Sequence, residues 1–118
     1  MISNQILQST IDGLKGITKR DITVMDVEGS VLATTEGLGA EVTAFITSPA
    51  DSQVVPGYQF FKVFDDNQLE YILLAKGSND DVYMVGKLAA FQLGSLLTAY
   101  KERFDKDNFI KNLLLDNM

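Results

Sequence analysis

The sequence predicts an α+β domain: an antiparallel sheet with flanking helices and one long helix closing the chain. Three observations carry this. Two pairs of β-rich runs are each joined by a short polar turn, over residues 21–35 and 58–75. Helical spacing precedes the first pair and recurs between the two. The last third, from about Asp80 to Met118, is helical in pattern and apolar nearly all round. Between Val82 and Tyr100 only Lys87, Gln92, Ser95 and Thr98 are clearly polar.

The elements follow in order. Ile2, Ile6, Leu7, Ile11, Leu14 and Ile17 fall at near-helical spacing, with Ser3 as N-cap and Gly16 near the end. Residues 21–26 then alternate, which puts Ile22 and Val24 on one face. The turn Val27-Glu28-Gly29 leads into residues 30–35 and makes a hairpin, with Gly29 supplying positive φ. Gly37 and Gly39 argue for a loop, and residues 40–46 for a short helix ending before Pro49. Gln53, Val54 and Val55 before Pro56 suit an edge strand. Residues 58–64 are aromatic and β-branched, Asp65 to Gln68 turn the chain, and residues 69–75 return it as a second hairpin. Ser78 or Asn79 caps the long helix, with Asp80 and Asp81 at its positive end.

With 118 residues the chain is one domain by size. Its net charge of -6 and lack of a basic cluster make it a poor DNA binder by itself. The absence of cysteine rules out disulfides and thiolate chemistry, and the absence of histidine removes the commonest general base and metal ligand. No secretory leader is legible at the N-terminus, and no run reaches the ~18 apolar residues that a membrane span needs. A cytoplasmic protein with no membrane contact is expected.

Catalytic motifs are missing. Gly37-Leu38-Gly39 has no Gly-Lys-Ser/Thr after it and is not a phosphate loop. The pairs Asp65-Asp66 and Asp80-Asp81 read as a hairpin turn and a helix start rather than a metal site or an acid/base dyad. No pattern pairs a serine with a lysine base. The expectation is a non-enzyme without cofactor or metal.

A ligand pocket is the more concrete expectation. Tyr58, Phe60, Phe61 and Tyr71 on the second hairpin, with Phe45 on the short helix, place aromatics around one space, and Lys62 would counter an acidic ligand. The same residues also read as plain core, with Lys62 snorkelling from an edge.

The final helix carries a length argument. Residues 80–104 span about 37 Å, while seven-residue strands reach only ~23 Å, so the helix should overhang its sheet. Val82, Gly86, Ala89, Leu93, Leu96 and Tyr100 step by four and three along it, a heptad seam assigned to a homodimer interface. Val85, Leu88, Phe91 and Leu97 add further apolar surface.

An antiparallel sheet flanked by helices in this order resembles small sensory domains of the PAS, GAF and Cache kind. More specifically, the hairpin of residues 22–33, with Met25-Asp26-Val27-Glu28-Gly29 at its turn, and the helix before it resemble the N-terminal sugar-diacid-recognition-type domain of CdaR/PucR-like bacterial transcription regulators. The end, residues 100–117, is similar to the segment leading out of that domain. The resemblance implies a sensory domain over residues 1–100 and, over residues 101–118, the start of a helical linker to an output domain beyond Met118. DNA would be reached only through that further domain. Family members that recognise sugar acids carry an Arg-Ile-Gly…His motif shortly after the second strand. Here Thr34-Thr35-Glu36-Gly37-Leu38-Gly39-Ala40 stands in that place, so sugar-acid binding does not carry over. The expected role is a regulatory domain that senses a small molecule or a partner and signals through dimeric C-terminal helices. A ligand-free dimerisation module is the alternative.

Overall fold

A computed structural model describes residues 2–36, 42–77 and 79–116, with side chains up to Tyr100. The expected loop at Gly37 and Gly39 and the Ser78 cap lie outside the described residues. The elements are α1 (Asn4–Thr18), β1 (Ile22–Met25), β2 (Val31–Thr34), α2 (Thr43–Thr47), β3 (Ser52–Val55), β4 (Tyr58–Asp65), β5 (Gln68–Lys76) and α3 (Asp80–Asp116). The five strands form one open antiparallel sheet in the order β2-β1-β5-β4-β3.

Local chemistry explains the boundaries. Ser3 caps α1, its hydroxyl accepting from the Ile6 N–H, and Lys19 ends the helix in the left-handed region. In the β1–β2 turn Asp26 Oδ1 accepts from the Glu28 and Ser30 N–H groups at 2.9 Å, and Gly29 adopts φ +89°. Asp66 and Asn67, both at positive φ, make the two-residue turn that the right-handed twist of the β4–β5 hairpin favours.

Strand alternation sorts the core into two layers. Ile22, Val24, Phe61, Val63, Tyr71, Leu73 and Ala75 point to one face, where α1 and α3 cover them with Leu7, Ile11, Val82, Ala89, Leu93 and Leu97. Met25, Phe60, Ile72 and Leu74 point to the other face and meet Val42 and Phe45 around α2. β1 is therefore buried on both sides. Ile17, expected on the buried stripe of α1, is exposed because the stripe runs from Leu7 through Ile11 and Leu14 to half-buried Thr18, and Ile17 falls beside it.

Polar pairs fix the frame. Gln8 on α1 both donates to the Thr34 carbonyl (2.9 Å) and accepts from its N–H (3.2 Å), which satisfies part of the free edge of β2. Buried Gln59 donates to the Asn79 carbonyl at 2.9 Å and so holds the start of α3 to β4. Arg20 pairs with Asp81 in the first turn of α3, which holds the Asp81 carboxyl below its ordinary value.

Helix α3 is 37 residues long, about 55 Å, against about 30 Å for the nine-residue β5. It overhangs the sheet, and the long dimension of the molecule is 60 Å. The helix runs unbroken through residues 100 and 101, where the sequence suggested a domain boundary.

Candidate functional site

The expected ligand site divides between the two faces of the sheet. Phe45 and Phe60 meet on the α2 side with ring centroids 5.6 Å apart, and Tyr58 packs half-buried beside them. Lys62 lies on the same side, its ammonium 5.1 Å from the Phe45 ring centroid and donating to the Ser48 carbonyl at the end of α2. Its charge thus serves a helix C-terminus and an aromatic face, two favourable places for a cation. In this arrangement Lys62 closes α2 onto the sheet.

Phe61 and Tyr71 do not join them. The ladder pairs Phe60 with Leu74, Lys62 with Ile72 and Val63 with Tyr71, so Tyr71 shares a face with Val63 and Phe61 and points toward α1. Strand parity overrules the grouping of Tyr71 with Phe45. Its hydroxyl is buried, with the backbone of Ile2 beside the phenol oxygen. Burial raises its pKa, a rise that a nearby Ile2 backbone group partly offsets.

The expected dimer seam is also reassigned. Val82, Ala89 and Leu93 are fully buried against the chain's own sheet, and Leu96 and Tyr100 pack half-buried at the edge of the same cluster. Gly86 sits directly over Phe61: a Cβ there would meet Phe61 Cε2 at 2.0 Å. The small residues of this seam let the helix approach the sheet, and a partner subunit cannot reach them in this fold. The surface left over is the opposite stripe. Met84 is 72% exposed, Phe91 71% and Leu88 55%, while Tyr83, 42% exposed, lies on the flank with its ring centroid 5.8 Å from that of Phe61. Tyr83 and Leu88 border one shallow groove on this stripe, and Phe64 and Phe91 border another.

The segment Asp80–Tyr100 is long and apolar enough to cross a membrane by length and composition, contrary to the sequence expectation. Part of that apolarity is spent on the sheet, through Val82, Ala89, Leu93 and Leu97. No group of three or more acidic side chains that could hold a metal ion occurs among the described residues.

Sequence reasoning missed Gln59 and Gln8, whose polar side chains position α3 and α1. The one available signal was a glutamine at an inward position of an otherwise aromatic strand. No protein-family model matches the chain, and a search of curated proteins finds no match.

Proposed function

We propose that the chain is a non-enzymatic N-terminal sensory domain of a bacterial transcription regulator, PAS/GAF/Cache-like in architecture. It acts in the cytoplasm, and DNA is contacted only by a domain outside this chain. The observation that carries the reading is the double use of α3. One face of this helix is core, the opposite face exposes an apolar row, and the helix continues past the sheet to Asp116. A shift of the core face is therefore levered into movement of the overhanging part.

The occupant we assign to the exposed row is a second copy of the chain. Met84, Leu88 and Phe91 step by four and three and continue at Ser95 and Thr98, as in a coiled-coil seam. An apolar row of this extent is unusual on a monomer and typical of an interaction surface. Ligand binding would change the angle or register of the two helices, driven only by a difference in affinity between the two arrangements. The space under α2, around Phe45, Tyr58, Phe60 and Lys62, is the ligand site of this reading, entered when Lys62 releases Ser48.

Unbiased metabolite screening by thermal shift tests the reading, because a ligand of the native state raises stability. A saturable ligand whose effect disappears in Phe60→Ala supports it, with the fold of that variant checked by circular dichroism. A second reading, a ligand-free dimerisation module, is favoured by the close Phe45–Phe60 contact and the commitment of Lys62 to Ser48. In that case no metabolite shifts the melting temperature, while protein concentration does.

A further inference from the structure

Resting on the dimer proposed above, we infer that the two copies of α3 pack antiparallel, about a two-fold axis that passes between Leu88 and Phe91. The exposed row is unequal along its length. Its first half carries the bulky side chains of Met84 and Leu88, its second half the small ones of Ser95 and Thr98, with Phe91 between them. Gly94, Ser95, Thr98 and Ala99 floor a groove of about 510 Å³, and Phe64 and Phe91 border it. Antiparallel pairing lays Met84 of each copy over Ser95 of the other, in this groove, and sets Leu88 beside Phe91. Bulky residues meet small ones, and the contact is made twice because a two-fold interface is self-complementary. In a parallel pair each residue faces its own copy, and the two small-residue floors meet with nothing to fill them.

Charge complementarity gives the same orientation. Asp80 opens α3, is exposed, and makes no ion pair among the described residues, whereas Asp81 beside it is held by Arg20. In the antiparallel register Asp80 flanks one end of the contact, and the position opposite it on the second copy is Lys101. An acid–base pair therefore closes each end. Beyond Thr98 the steps of four and three continue to Glu102 and Asp105. A parallel pair would set Glu102 against Glu102, Asp105 against Asp105 and, on the flank, Lys101 against Lys106, and like charges so placed reject a partner. The antiparallel contact stops at Thr98 and leaves these positions outside it. It runs about 27 Å over residues 81–98, which puts the dimer in the small, weakly held class of interfaces. The rest of α3, as far as Asp116, then leaves the dimer at its two opposite ends.

The chain has no cysteine, so introduced thiols report the orientation. Met84→Cys and Ser95→Cys, both at exposed positions, are oxidised with copper phenanthroline, each alone and as a mixture, at concentrations where sedimentation equilibrium shows the parent dimer. The mixture is expected to give about fivefold more disulfide-linked dimer than either variant alone, because only the mixed pair brings two thiols together. Asp80→Lys should weaken the dimer about fivefold, and Lys101→Asp added to it should restore the affinity. Disulfides formed within each single variant, or a dimer that gives no mixed disulfide, would overturn the antiparallel arrangement while the dimer itself stands. A parent that stays monomeric in sedimentation would remove the dimer and this arrangement together. Partition of that monomer onto phosphatidylcholine vesicles would give the row to a lipid surface instead.

Discussion

Gly86 on α3 and Phe61 on β4 form a single packing unit: the missing Cβ of the glycine is the space that the aromatic ring fills. Phe61 is 1% exposed and has no free direction to yield. Gly86→Ala gains about 1 kcal/mol of helix propensity but overpacks a closed core, which costs about 1–3 kcal/mol or more. With a contact this short the clash wins. A net loss of about 2 kcal/mol is expected in urea unfolding. Phe61→Leu combined with Gly86→Ala should lose less than the sum of the two single changes, because the pair shares one space.

The two faces of α3 should answer differently to mutation. Leu93→Ala cuts into the core and is expected to cost about 2–5 kcal/mol. Met84→Glu and Phe91→Glu alter exposed positions and should stay within about 0.5 kcal/mol for the isolated domain. In sedimentation equilibrium the glutamate variants are expected to remain monomeric where the parent self-associates. A parent that stays monomeric at high concentration would remove the dimer from the proposal.

Asp21 connects α1 to the sheet by accepting from Lys15 and, at 2.8 Å, from the Thr35 hydroxyl. The Lys15 hydrogen bond, followed by that of Thr35, lowers its pKa below the ordinary 3.8. A depressed carboxylate stabilises above its unfolded pKa, and the contribution is lost as pH falls through the folded value. Asp21→Asn should therefore lower the melting temperature at neutral pH by roughly 2–5 °C. The gap to the parent should narrow below about pH 4 and close under more acidic conditions.

Lys62→Met tests how α2 is held. The change removes the bond to the Ser48 carbonyl and the contact over Phe45 while keeping most of the apolar stem. A loss of about 1 kcal/mol is expected. It should appear as faster amide exchange at Ile46 and Ser48, with the exchange of β5 changed little.

Much of the fold was legible because its local signals agree. The Ser3 cap, the turns at Asp26-Val27-Glu28-Gly29 and Asp65-Asp66-Asn67-Gln68, and the two hairpins appear where their residues predict them. The candidate site was less legible. Phe45, Tyr58, Phe60 and Lys62 do come together, but Phe61 and Tyr71 lie on the other face, since grouping residues by chemistry ignores the parity that the β4–β5 register imposes. The seam from Val82 to Tyr100 was seen correctly as a stripe and assigned to the wrong neighbour. A heptad stripe and a sheet-packing stripe share the same periodicity, so spacing alone does not say which surface lies opposite.

The sequence by itself determined the element order, the turns, the absence of thiol and imidazole chemistry, and a final helix with apolar residues on more than one face. These follow from short-range steric, capping and patterning rules that act within a few residues. Only the tertiary structure decided which face of that helix is core. Phe61, brought under Gly86 by the β4–β5 pairing, makes the Val82, Ala89 and Leu93 side the one that can close on the sheet, and leaves Met84, Leu88 and Phe91 outside.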